Sequence, residues 1–195
     1  MESDEMNSEP KQQLRSPIEY GVAVRQLPSR GIHVPFEADA ELCAALVRYT
    51  GVESVLEFSV QCEVLPWKKD GARVRGEIAA RISQLCVVTL EPVESAINEP
   101  FDALYVPEGS KLSRPRVDKD GEMIIDAEGD DLPETFSGSE LELGSIWTEF
   151  FTLAIDPFPR VQGVELPADI SAQSAVADEE SPFAVLSALK NSKLH

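Results

Sequence analysis

The sequence predicts an α+β fold, an antiparallel β-meander shaped as a curved sheet or half-barrel with two or three packed helices. Three observations carry this expectation. Residues 53–65 and 73–82 alternate apolar and polar with the two-residue period of a half-buried strand, and "KKDGA" between them holds an Asp-Gly turn signal. Residues 93–105 repeat that period. Two further stretches carry apolar stripes at helical spacing.

Taken in order, residues 1–15 are expected to be a disordered tail: "MESDEMNSEPKQQ" is acidic and polar, with no apolar signal-peptide core. A first strand is read in "IEYGVAVRQLP", with Tyr20, Val22 and Val24 on one face. "FEADAELCAALVRYTG" follows as a helix. Asp39 is its N-cap, Leu42, Ala45, Leu46 and Tyr49 form its buried face, and Gly51 is its stop.

In the next strand Leu56, Phe58, Val60, Cys62 and Val64 point to the core, as do Val74, Ile78, Ala80 and Ile82 in its successor. Parity constrains the turn between them. A two-residue Asp70-Gly71 loop would set apolar faces against polar ones, so an odd loop is required. Asp70-Gly71-Ala72 is one such loop, pairing Val64 with Ile78, Cys62 with Ala80 and Val60 with Ile82. In the third strand Val93, Ile97, Phe101 and Tyr105 share a phase, while Pro100 on the opposite phase marks a bulge or an edge.

The remainder divides by composition. Residues 107–138 read as a long acidic loop, in which Met123-Ile124-Ile125 is a candidate short strand. "SGSELELGSIWTEFFTLAID" opens with Ser139 and Glu142 at capping-box spacing, and Leu143, Ile146, Trp147, Phe150, Phe151 and Ala154 make a core-docking stripe. Residues 16–165 thus form one domain, 166–180 a linker, and 181–195 a short docking helix and tail in which Phe183, Leu186 and Leu189 are in phase. A helix this short needs a surface to rest on.

Composition limits function. The net charge of −18 is uneven: residues 11–90 carry ten bases and nine acids, residues 91–195 seven bases and twenty-two acids. So acidic a half repels phosphate and suits a basic partner. Three widely spaced cysteines, Cys43, Cys62 and Cys86, fit a reducing compartment and read as buried small hydrophobes. With no long apolar run, the expected location is the cytoplasm.

The two histidines, His33 and His195, build no nucleophile-base arrangement, and the chain has no phosphate-binding glycine loop, so no enzyme activity is expected. "RVDKDGEMIIDAE" imitates a calcium loop, but its first and twelfth positions are Arg116 and Ala127. No metal or cofactor is expected. Two binding surfaces are candidates. One is a nucleic-acid contact through Trp67, Lys68, Lys69, Arg73, Arg75 and Arg81 on one hairpin, where Glu57, Glu63 and Glu77 stand ready to neutralise the arginines. The other is a protein-partner contact through Asp118, Asp120, Asp126, Glu128, Asp130 and Asp131.

Three blocks in order, "CVVTLEPVESAINEPFDALYVPE", "LELGSIWTEFFTLAIDPFPRVQGVE" and "SPFAVLSALK", give the chain its resemblance to the bacterial YceD family, named for large ribosomal RNA subunit accumulation. The resemblance implies a non-enzymatic ribosome-biogenesis factor that binds large-subunit rRNA or a basic large-subunit ribosomal protein, with no membrane or small-molecule partner. Many relatives have Cys-x-x-Cys in the first block, and some a second pair after the aromatic helix. Here those places hold Cys86…Thr89 and Asp156 to Arg160, so no zinc role carries over. The rival expectation is an acidic protein-binding module or chaperone without a ribosomal role.

Overall fold

A computed structural model describes residues 15–113 and 132–164. Four consecutive antiparallel strands form a meander: β2 (Ile32–Glu37), β3 (Ser54–Trp67), β4 (Gly71–Leu85) and β5 (Pro92–Pro107). A short β6 (Glu134–Phe136) joins the end of β5 in parallel, completing a five-stranded open sheet in the order β2-β3-β4-β5-β6. A second, two-stranded sheet pairs β1 (Gly21–Ala23) with β7 (Glu140–Glu142). Two α-helices complete the described fold, α1 (Ala40–Thr50) and α2 (Leu143–Ala154). The α+β meander is therefore as expected, and its sheet does not close.

The odd hairpin loop is present, but the turn lies two residues earlier than the Asp70-Gly71-Ala72 reading. It is Lys68-Lys69-Asp70, and the register sets Val64 opposite Val74, Cys62 opposite Gly76 and Val60 opposite Ile78. Parity is unchanged, so the same side chains face the core. The shift has a packing cause. Ala72 is fully buried, and a Cβ on Gly71 would stand 2.7 Å from the Tyr105 carbonyl, so both belong to the sheet and not to the turn. Lys68 takes the left-handed conformation (φ 54°) instead.

Other local readings change for equally local reasons. A bulge between Val55 and Glu57 turns Val55 inward and leaves Leu56 42% exposed, against the expected core role of Leu56. In α1, Asp39 caps the Leu42 N–H at 2.9 Å and Gly51 ends the helix with φ 78°, as read. Its buried face, however, is centred on Cys43 and Leu46, with Leu42, Ala45 and Tyr49 half-buried on its flank. β2 is a strand that the sequence reading does not name; it contains Pro35 and is an edge strand paired only to β3 among the described residues. Pro100 is exposed on β5, at a level where only β4 pairs with it among the described residues. β6 falls inside the expected acidic loop, whereas Met123-Ile124-Ile125 lies outside the described residues.

The start of α2 is the clearest correction. Ser139 does not cap it. Glu140–Glu142 pair with Gly21–Ala23 as β7, and the first helical N–H, of Leu143, goes to the Tyr20 carbonyl at 2.8 Å. A strand ladder plus that one bond satisfies more backbone than a local cap would. The aromatic stripe then packs as expected. Trp147 and Phe151 are fully buried; Trp147 lies 5.1 Å from Phe36 and 5.3 Å from Tyr20, ring to ring, and Phe151 5.1 Å from Phe58. Phe150 stacks on Phe101 at 5.2 Å.

Gly144 sets how close α2 approaches, because a Cβ there would collide with the Ile18 carbonyl. Ser16 anchors the same contact, its hydroxyl donating to the Gly144 carbonyl at 3.0 Å and lying 2.8 Å from Thr148 Oγ1. Gly144→Ala should therefore lower unfolding free energy by about 1–3 kcal/mol, the usual cost of overpacking. Leu153→Ala, on the 75% exposed side of the same helix, should stay within about 0.5 kcal/mol. Urea unfolding of the two variants checks both values.

Candidate nucleic-acid interface

The hairpin of β3 and β4 carries all six nucleic-acid candidates, but the structure divides them. Trp67 ends β3, and Lys68 and Lys69 form the turn, with the Lys68 ammonium 5.4 Å from the Trp67 ring centroid. Arg73, Arg75 and Arg81 alternate outward along β4. Ten residues separate Gly71 from Arg81, which at ~3.3 Å per strand residue is roughly 33 Å. Arg81 is therefore remote from the tip.

The outward arginines are engaged by carboxylates. Arg73 holds Asp102 in a two-bond fork of 2.8 and 2.5 Å, and that hydrogen bonding keeps the Asp102 carboxyl below its ordinary pKa. Arg75 donates to Glu63 at 2.8 Å and Arg81 to Glu57 at 2.6 Å, with Glu94 a further 3.9 Å neighbour of Arg81. Glu57 and Glu63 neutralise arginines as the sequence suggested, whereas Glu77 enters no ion pair among the described residues. Asp102 and Glu94 were missed because they lie on β5. Their signal was available in register only, Arg75 standing opposite Asp102 and Ser83 opposite Glu94.

At the tip the balance differs. Lys68 and Lys69 are exposed and in no ion pair among the described residues. The sheet adds cations there that the sequence reading omits: Arg30, in the turn leading into β2, and Lys111, just past β5. The acidic candidates Asp118, Asp120, Asp126, Glu128, Asp130 and Asp131 lie outside the described residues, as does the calcium-like loop. Among the described residues no cluster of three or more His, Cys, Asp or Glu is placed to hold a metal ion.

The corner after β4 meets the segment after α2, bringing Cys86…Thr89 beside Asp156 to Arg160. Val87 donates to the Pro159 carbonyl at 2.9 Å, and Gln84 Nε2 to the Asp156 carbonyl at 3.0 Å. Cys86 is fully buried, and its sulfur accepts from the Thr89 N–H at 3.4 Å and the Val161 N–H at 3.5 Å. Hydrogen bonding from the Thr89 side chain, then from these two backbone groups, lowers the Cys86 pKa from 9.0 to about 7. Cys62, buried in the sheet, moves the other way, to about 11, through desolvation.

Exposed pairs of this kind contribute about 0.2–1 kcal/mol each, so Arg75→Gln should barely change the urea midpoint, as denaturation will test. Cys86 makes a pH prediction. Its thiolate is favoured in the folded state, so its contribution to stability grows as pH rises from about 7 towards 9 and is lost below about 7. Cys86→Ser should remove that slope from a series of denaturation curves between pH 6.5 and 9.5; an unchanged slope would exclude the thiolate as its source.

Neither the curated proteins nor the solved structures yield a match to this chain. A family model does: Large ribosomal RNA subunit accumulation protein YceD matches residues 74–190 of 195, more than half of the chain. The match begins on β4, takes in the Cys86 corner, β5 and α2, and extends through the Ser181–Lys190 block. The chain belongs to the YceD family of large ribosomal RNA subunit accumulation proteins.

Proposed function

We propose that this protein is a non-enzymatic ribosome-biogenesis factor that promotes accumulation of large-subunit rRNA by binding the rRNA itself. Family membership carries the ribosomal part of the reading. The mode of action, binding without catalysis, rests on the chemistry of the described residues. His33 lies on the exposed sheet face against Gln61 Oε1 at 3.1 Å, and all three cysteines are buried. A cleft of about 930 Å³ is lined by Arg15, Tyr20, Tyr49, Glu142 and Glu149, with Ser16 already bonded to Gly144 and Thr148. Nothing in that set is an activated nucleophile.

A second reading has its own support. Twenty-two acids against seven bases in residues 91–195 suit capture of a basic large-subunit ribosomal protein. Among the described residues no helix is long and apolar enough to cross a membrane.

Depletion of the protein should lower mature large-subunit rRNA relative to small-subunit rRNA, measured by northern blot. An unchanged ratio would reject the ribosomal reading. Affinity purification with and without ribonuclease then separates the two modes. Loss of ribosomal components on ribonuclease treatment supports direct RNA binding, and retention of a basic ribosomal protein supports the second mode.

A further inference from the structure

We infer that the end of the sheet at the β3–β4 turn, and not its outward face, is the RNA contact, and that it takes single-stranded or loop RNA. This rests on the proposed function and adds a site to it. The argument begins with charge. Among the described residues Arg73, Arg75 and Arg81 are matched to carboxylates on neighbouring strands, with Asp102, Glu63 and Glu57 at 2.5, 2.8 and 2.6 Å. A phosphate reaching that face has to displace an acid already in place and meets Glu77 and Glu94 beside it. The outward face is thus mixed in sign.

Register places a different set of cations at one end of the sheet. Ile32 lies opposite Val64, so Arg30 in the preceding turn stands beyond it, level with the end of β3. A Cβ on the intervening Gly31 would come within 2.5 Å of Leu65 Cδ2, so this turn lies directly against β3. On the other side Ala72 faces Tyr105, and the chain leaves β5 past the hairpin tip, turning through the Ser110 N–H to Pro107 carbonyl bond at 3.1 Å into Lys111. Arg30, Lys68, Lys69 and Lys111 are all exposed and belong to none of the ion pairs among the described residues.

Four carboxylates lie near this end. Glu63 is engaged by Arg75, Glu108 accepts from the Ser137 hydroxyl at 2.6 Å, and Glu134 on β6 stands opposite Tyr105, with Asp70 in the turn itself; Arg30, Lys68, Lys69 and Lys111 still outnumber Asp70, Glu108 and Glu134. On a chain of net charge −18, this end is a local cationic exception, and an anionic polymer is steered towards it.

Trp67 specifies the kind of RNA. It is half-buried at the base of the turn, with Lys68 over its ring. An aromatic platform ringed by flexible cations suits splayed bases with their phosphates, whereas the stacked bases of an A-form duplex offer it no free face. Lys68 keeps a charge at φ 54°, a conformation that glycine adopts without strain.

The test uses the full chain and short fluorescein-labelled oligouridine as the probe, read by anisotropy across a salt series. The triple variant Arg30→Gln, Lys69→Gln, Lys111→Gln should bind at least about tenfold more weakly. Its salt slope should flatten by about two, since each lost single-strand phosphate contact removes roughly 0.7. Trp67 emission should be quenched on binding, and Trp67→Phe should abolish the quench. The face variant Arg73→Gln, Arg75→Gln, Arg81→Gln should stay within about twofold of the parent. Circular dichroism confirms that both triple variants are folded.

Equal binding by parent and tip variant, or loss confined to the face variant, would overturn the site. So would equal affinity for a fully paired RNA duplex, or capture of a basic ribosomal protein with no affinity for the probe. None of these results alters the depletion phenotype, so the site can fail while the ribosomal reading stands.

Discussion

The seating of α2 on the sheet is the contact on which the rest depends. The meander offers one apolar face, built from Phe58, Val60, Val64, Val74, Ile78 and Ile82, all buried. A sheet with one apolar face folds only when something covers it. Trp147 and Phe151 provide the cover, and Gly144 lets the helix backbone reach Ile18. The β1–β7 pair then follows, because β7 runs directly into α2 and its partner strand lies just beyond the Ile18 contact. A segment distant in sequence thus fixes the N-terminal strand.

The opposite face is governed by ion pairing. Its arginines and carboxylates alternate across three strands, and the pairs are half-exposed. Such pairs add little stability, but they leave the arginines of a broad sheet face matched and the face mixed in sign. Cations outside the ion pairs among the described residues stand at the turn end, Lys68 and Lys69 in the turn with Arg30 and Lys111 beside it, where Asp70, Glu108 and Glu134 are the nearby acids not paired to an arginine.

The Cys86 corner shows how one buried thiol ties a turn to a distant segment. The sulfur gathers N–H donors from its own turn and from the segment after α2, and Val87 ties to Pro159. Hydrogen bonds to one buried sulfur connect two chain segments 75 residues apart. The corner is a structural joint, in keeping with a buried cysteine.

Strand alternation, the parity of the hairpin loop, the Asp39 cap, the Gly51 stop and the aromatic stripe of α2 were legible in the sequence, because each depends on neighbours within a few residues. Beyond that reach the reading failed for identifiable reasons. Leu56 left the core at a bulge, β2 was not named as a strand, and Ser139 lost its cap to a strand whose partner lies more than a hundred residues away. The candidate site followed the same division. Sequence named Trp67, Lys68 and Lys69 on one turn, but only cross-strand register showed that Asp102 and Glu94 belong beside the arginines and that Arg30 and Lys111 stand at the tip. Local periodicity determines which side chains share a face; which charges meet across that face is decided by tertiary pairing, because ion pairs form between strands and not along them.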